Sequence, residues 1–247
     1  MNAYLVRVGI DSTERSGGFN APMNFETKEF VYVPIIEDRK PLGNLNRTFQ
    51  EFEDPCRRLG QCLPRRLLEK NAHLDPDFSE LTYGDVSGRD ICTGKCNYRG
   101  RPLTNVQEND ILVFYAGLRE IHHGGIIDAI IGLYVVQESV SAREFAKGGS
   151  SDGNAHTRCQ YNDADLVITA KRAISGRLDK CIPIGKYRVN AHRVEKDILD
   201  DWGHLDVYDG YIQRSARLPK FKDPERFYKW FNQKIIDQRI LLIPSNN

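Results

Sequence analysis

Long apolar runs are missing from this sequence: its 247 residues nowhere offer a continuous apolar segment of the roughly 18 residues that a membrane helix needs. The opening MNAYLVRVGIDS meets Arg7 and Asp11 before an apolar region develops, so it does not read as a secretory signal. A soluble, cytoplasmic protein is expected. An excess of charge of one sign is missing as well. With 35 basic and 34 acidic residues the net charge is +1, so no general field for polyanions exists, and contact with nucleic acid must come from a local basic patch or a base pocket. There is no G-x-x-x-x-G-K-[ST] phosphate loop and no H-E-x-x-H zinc helix, which argues against P-loop hydrolysis and zincin chemistry. The zinc-deaminase pairing of H-x-E with P-C-x-x-C is also absent. Cysteine is sparse. Cys56, Cys62, Cys92, Cys96, Cys159 and Cys181 read as reduced thiols. The C-x5-C and C-x3-C spacings of the first four lack the C-x2-C knuckle of most structural zinc sites, so no metal is assigned to them and elemental analysis decides the point.

What is present is globular: 40% hydrophobic and 28% charged residues suffice for a sizeable core. Tyr4–Gly9 and the alternating Phe30–Ile35 read as strands, the second pushed to an edge by Pro34. Residues 38 to 105 are broken by prolines 41, 55, 64, 76 and 102, with short helices possible over Arg47–Glu53 and Pro64–Lys70. A connection of that length without a disorder signature points to function. The pattern NDILVFYAGLREIHHGGIIDAIIGLYVVQE over 109–138 places two apolar runs, Ile111–Tyr115 and Ala129–Val136, around a Gly/His loop. It reads as a central hairpin with Gly132 easing a bend and His122-His123 facing solvent. Ser141 with Glu144 forms a capping box for a helix over Ser141–Ala146, and 147–156 reads as a mobile loop. Leu166–Ala170 and Lys180–Ile184 are candidate strands. Lys196–Trp202 is a short helix stopped by Gly203. Pro224–Ile236 is the firmest helix: Asp223 caps it, Pro224 suits its first turn, and Phe227, Phe231 and Ile235 form a buried stripe. One α+β domain over residues 1–247 follows, with a curved sheet or partly open barrel, long irregular loops and peripheral helices.

Four polar clusters carry candidate chemistry. Asp11 precedes Gly17-Gly18-Phe19-Asn20-Ala21-Pro22, which either cradles a ligand through backbone N–H groups or is an Asx-type turn. His73, Asp75 and Asp77, followed by Tyr83-Gly84-Asp85, bring one imidazole and two carboxylates within five positions. That set suits proton transfer or a divalent cation, and equally a tied-down loop; none of its members is assigned as a metal ligand. Asn154-Ala155-His156 places a histidine in the glycine-rich loop, as a general base or a solvated residue. In the basic C-terminal half, Arg177, Gln213, Arg214 and Arg217 with Tyr211 have the equipment to hold phosphate or stack on bases, or they pair with acids such as Asp206 and Asp209.

The ordered succession RVGIDS, GGFNAP, FVYVPI, HLDPDF, YGD, DILVFYAGL, IIGLYVV, NAH, SGRL-KCIPIG and DGYIQRSARLPKF resembles the nucleotide-modification-associated domain of the third type over nearly the whole chain. That resemblance implies a role around modified nucleotides in bacterial or phage systems that modify DNA bases. It also implies that Asp11, Asn20, His73, Asp75, Asp77, Tyr115, Asn154, His156, Arg177 and Arg214 belong to one site. A Cys-bearing insertion, Ser87–Asn97, departs from the family pattern. The central hairpin separately resembles PUA-like domains, which hold bases in a barrel mouth; Tyr115 and Tyr134 would be its stacking wall. Two functions follow. In the first, a (modified) nucleotide or nucleobase is recognised, with Asn20, Asp77, Tyr83, Tyr115, Asn154, Arg177, Gln213, Arg214 and Arg217 as binding residues. In the alternative, an enzyme of nucleotide or base modification uses Asp11, His73, Asp75 and His156 as acid–base groups, or as ligands for a divalent cation. No cofactor is named.

Overall fold

The long apolar pattern at the centre of the chain becomes the longest hairpin of the fold. The structure is a computed structural model and describes residues 1–13, 18–86, 100–161, 163–212 and 218–247. Its strands are β1 (Ala3–Arg7), β2 (Pro22–Met23), β3 (Ile35–Ile36), β4 (Ala72–His73), β5 (Thr82–Val86), β6 (Ile111–Glu120), β7 (Ile126–Ser141), β8 (Asp165–Ala170), β9 (Gly176–Arg188), β10 (Ala191–Val194) and β11 (Leu242–Ile243). The helices are α1 (Glu53–Arg58), α2 (Arg65–Leu68), α3 (Ala142–Lys147), α4 (Ala155–Arg158), α5 (Lys196–Trp202) and α6 (Pro224–Asp237). None of the described helices is long and apolar enough to cross a membrane.

β6 and β7 pair antiparallel from Ile111↔Val135 to Arg119↔Ile126, well beyond the two short runs expected. β1 joins β6 in parallel, Ala3 opposite Ile111 and Arg7 opposite Tyr115. The far edge of β7 is shared: β9 takes Ile127–Leu133 and β8 takes Val136–Ser141. β5 then pairs with β8, giving the path β1-β6-β7-β8-β5 with β9, β10, β11 and β2 branching from it. The sheets are open, and the fold is mixed α+β. The register slips between Ile130 and Gly132, where a Cβ on Gly132 would stand 2.4 Å from the Phe78 ring. The glycine therefore makes room for an aromatic ring at an irregular point of the ladder.

The central strands are apolar on both faces because each face covers its own core. Leu112, Phe114 and Tyr134 pack with Tyr32, Phe49 and Phe78 on one side. Ile111, Val113, Tyr115 and Leu133 pack with Trp202, Phe221, Phe227 and Phe231 on the other. α6 seals that second side as its pattern required: Asp223 accepts from Arg226 N at 3.0 Å, and Phe227 and Phe231 are fully buried. Ser141 and Glu144 form the expected capping box of α3, and Gly203 ends α5 in the left-handed region at φ 72°. His122 and His123 are exposed, as expected of the hairpin loop.

Three local expectations need correction. Phe30–Ile35 is not a regular strand: Phe30 makes an isolated bridge with Met23, and the next pairing is that of Ile35–Ile36 with β4. Pro34 has no N–H to give a ladder, and the preceding backbone is satisfied elsewhere, Val31 N by Pro22 O and Tyr32 N by the Asn247 side chain. Arg47–Glu53 is shifted, a 3-10 turn at Phe49–Phe52 running into α1, because Phe49 and Phe52 must reach the core. Residues 154–156 are not a mobile loop tip. Asn154 caps α4, accepting from His156 N at 2.8 Å, and Asn154–Arg158 are buried.

Candidate functional site

Three of the sequence motifs meet beside β5 and α4. β4 ends in His73, and the following turn carries Asp75. β5 carries Tyr83-Gly84-Asp85, and α4 carries His156. Asp75 Oδ1 accepts from Gly84 N at 2.7 Å and from Asn154 Nδ2 at 3.4 Å, so one carboxylate ties the three motifs together. Gly84 is required by this approach: a Cβ there would stand 2.2 Å from His156 Cδ2 and 2.8 Å from Asn154 Oδ1. The imidazoles of His73 and His156 lie edge to face, 5.1 Å apart.

Each imidazole is held from behind. His73 Nδ1 is 2.5 Å from Glu37 Oε2, and His156 Nδ1 is 2.7 Å from Asp165 Oδ1. A carboxylate can only accept, so Nδ1 donates in both rings. Nε2 of each then faces Asp75 Oδ2, at 3.9 Å from His73 and 3.8 Å from His156. Arg39 links the two supporting acids, reaching Glu37 at 3.6 Å and Asp165 at 3.2 Å. His156 and Asp165 are buried, while the His73 side chain keeps 13% of its surface exposed. The front of the site therefore opens past His73.

The electrostatics follow from this packing. Burial raises the Asp75 carboxyl to about 7, with Asp85 adding to the effect and His73 and Gly84 N–H opposing it. Burial would also raise Glu37, but the hydrogen bond and charge of His73, with Arg39, outweigh it and bring that carboxyl to about 2. Burial disfavours the charged form of both histidines. In His73 the contact with Glu37 and the charge of Asp75 reverse this and raise its pKa. In His156 burial prevails, helped by Arg39 and His73, and the pKa falls. His73, Asp75 and His156 each present one ligand atom within 4.8 Å of the others, and these three form a group that could hold a metal ion.

The other expected residues divide. Asn154 and Tyr83 support this site, Asn154 through Asp75 and Tyr83 by donating to Asp85 Oδ2 at 3.1 Å. Asp77 faces away: it pairs with buried Arg158 and accepts from Ser79 N at 3.1 Å and Asn246 Nδ2 at 3.0 Å. Asp11 and Asn20 stand in a second polar group. Asp11 takes Thr13 N at 2.9 Å in an Asx-type turn and lies 4.0 Å from Arg7. Arg7 in turn reaches Asp128 at 3.4 Å, and Asp128 holds His192 at 2.8 Å. Asn20 donates to Gly117 O at 2.8 Å. Arg7 follows Ala3 and Leu5 onto the α6 side of β1, whereas Leu74 and Phe78, which bracket Asp75, pack on the opposite side. Tyr115 and Tyr134 lie on opposite faces too, 1% and 0% exposed. Their hydroxyls donate to Ile212 O and Asp77 O, so they are core residues and form no common stacking wall. Arg177 is buried over Phe30 and donates to Ser245 O at 3.0 Å; burial lowers its pKa to about 10. It fastens the C-terminal segment. Gln213, Arg214, Arg217, Cys92, Cys96 and the 87–97 insertion lie outside the described residues.

Sequence reasoning missed Glu37, Arg39 and Asp165. The first two lie in IIEDRK, where nothing distinguishes them from surface charges. Asp165 opens β8 in DADLVITA, directly before an apolar run, the one local hint that its carboxylate turns inward. Gly149-Ser150-Ser151-Asp152-Gly153 spells G-x-S-x-G, but it follows a helix and not the strand of a nucleophile elbow.

An open α+β scaffold that buries a His–Asp–His centre behind two supporting carboxylates defines a domain with a built polar site. The model of the family described as nucleotide modification associated domain 3 matches residues 2–216, and the chain belongs to that family. Its family places it among proteins associated with nucleotide modification. No curated protein matches it. Among solved structures, the N-terminal domain of Thermococcus gammatolerans McrB bound to m5C DNA is similar at 15% identity, with 96% of this chain and 99% of that one covered. The TM-score of 0.32 is too low for that likeness to inform fold or site.

Proposed function

We propose that the chain recognises a nucleotide or nucleobase for a base-modification system, and that it does so where His73, Asp75 and His156 meet. The observation that carries this reading is the convergence of HLDPDF, YGD and NAH, whose Asp75 and Asn154 lie 79 residues apart, on one partly open polar site in a domain of this family. A carboxylate such as Asp75 accepts from the exocyclic amine of cytosine or adenine. The exposed edge of His73 offers a planar surface beside it. With a net charge of +1, affinity comes from such base contacts rather than from many phosphates. We place the protein in the cytoplasm, where the four cysteines among the described residues, all free thiols, would stay reduced.

A second reading, catalysis of the modification, is favoured by one feature. Both imidazoles are fixed through Nδ1 by carboxylates, the orientation that serves a general base or a metal ligand. Two variants separate the readings: His73→Ala and His156→Ala, each assayed for nucleotide binding by calorimetry and for base modification in cells. Loss of affinity with no turnover in any assay supports recognition. Normal affinity with loss of modification overturns it in favour of catalysis.

A further inference from the structure

We propose that His73 Nε2, Asp75 Oδ2 and His156 Nε2 bind one divalent transition-metal ion of the zinc, iron or cobalt type. The proposal uses the same three side chains as the proposed nucleotide site, but it is tested with the ion alone, so its failure is distinguishable from failure of the nucleotide reading.

Three observations lead to it. First, the separations of 3.9 and 3.8 Å between the imidazole nitrogens and Asp75 are too long for hydrogen bonds, which close at about 3.2 Å. They lie near the edge of a coordination tetrahedron: bonds of about 2.0–2.1 Å place neighbouring ligand atoms roughly 3.4 Å apart. These two pairs need to close by about half an ångström to seat the ion, and all three ligand atoms lie within 4.8 Å of one another. Second, both rings present Nε2 forward because Nδ1 is occupied by Glu37 at 2.5 Å and Asp165 at 2.7 Å. Metal-bound histidines characteristically donate the other ring N–H to a carboxylate or carbonyl, which fixes the tautomer and raises the basicity of the ligating nitrogen. Two such pairs on one centre exceed what a buried structural histidine needs. Third, the set is built and not incidental. His156 keeps 5% of its side-chain surface exposed, Gly84 lacks the Cβ that would displace it, and Gly84 N together with Asn154 holds Asp75 by its other oxygen, Oδ1.

The ligand chemistry selects the ion. Two imidazoles and one carboxylate suit zinc, iron(II), cobalt(II) or nickel(II), whereas magnesium and calcium prefer all-oxygen sets. Three protein ligands leave at least one coordination position open, as in catalytic rather than structural zinc sites.

The test uses the full chain, stripped of metal and titrated with cobalt(II) under reducing conditions, followed by its visible spectrum and by calorimetry. One equivalent should bind with a d–d spectrum of nitrogen/oxygen ligation and no thiolate-to-cobalt charge transfer. His156→Gln and Asp75→Asn should each abolish it, and Glu37→Gln, which leaves all three ligands in place, should weaken affinity about 10–100-fold. Circular dichroism confirms that each variant is folded. Should a ligand variant not fold, nitrogen-15 spectra of the wild-type imidazoles replace it, with both Nε2 signals expected to move on addition of zinc. Absence of stoichiometric binding, a thiolate band pointing to the cysteines, or Nε2 signals that do not move would overturn the proposal.

Discussion

Gly84 offers the sharpest test of how the site is built. In an ordinary strand interior, alanine is better than glycine by roughly 0.5–1 kcal/mol, because glycine loses more backbone freedom on folding. If Gly84 were only a strand residue, Gly84→Ala would therefore stabilise the protein. The structure demands the opposite. The new methyl would stand 2.2 Å from His156 Cδ2, against the 3.4 Å at which ordinary contact begins, so the imidazole must retreat by about 1.2 Å. His156 cannot do so freely: Nδ1 is held by Asp165 at 2.7 Å and the backbone by Asn154. Overpacking of this kind costs about 1–3 kcal/mol, enough to outweigh the gain. Chemical denaturation should show a net loss of about 1–2 kcal/mol with an unchanged slope. Nucleotide and cobalt binding should fall by more than the stability does, since the displaced ring belongs to the proposed site. A variant as stable as wild type that binds both as wild type does would refute the packing argument.

Other perturbations have separable outcomes. Arg158→Ala should cost about 3–5 kcal/mol by leaving Asp77 as a buried charge, measured by urea unfolding. Phe231→Ala, on the opposite face of the sheet, should cost about 3–5 kcal/mol while leaving nucleotide affinity unchanged in calorimetry; a changed affinity would show that the two faces are coupled. The Glu37 carboxyl is lowered from 4.5 to about 2 in the folded state. A depressed pKa stabilises above the unfolded value and is lost as pH falls through the folded one. Wild type should thus lose stability between about 4.5 and about 2, and Glu37→Gln should flatten that part of the pH profile. The logarithm of nucleotide affinity should fall only slightly with the logarithm of salt. A slope of several units, at about 0.9 per phosphate contacted, would point instead to a duplex held by its backbone.

Periodicity and capping signals made much of the fold legible. Asp223-Pro224 with the Phe227–Phe231 stripe, Ser141 with Glu144, and the stop at Gly203 are local devices, and local chemistry decides them. The hairpin was legible because continuous apolar pattern survives burial on both faces, but its length was not, since β7 keeps pairing after the pattern turns polar at Gln137. Phe30–Ile35 misled because core packing preserves apolar alternation even where the backbone finds its partners in loops and the C-terminus. At the site, His73, Asp75 and His156 stood out as residue types. Their company did not: Asp11 and Asn20 lie with Arg7 and Asp128, and Glu37, just past β3, and Asp165, at the start of β8, come from segments whose sequence gives no sign of a shared destination. Tyr115 shows the limit most clearly. In a strand buried on both faces, an aromatic residue fills the core as readily as it lines a pocket, and only the three-dimensional arrangement tells the two apart.

The most direct measurement is the response of the histidine side chains to nucleotide, read by nitrogen-15 and proton NMR of the full chain. His73 and His156 should shift saturably on titration with a mononucleotide bearing an exocyclic amine. His122, His123 and His204, which are exposed, serve as internal controls that stay unmoved. Saturable binding of the nucleotide with His73 and His156 unmoved would contradict the assignment of the site.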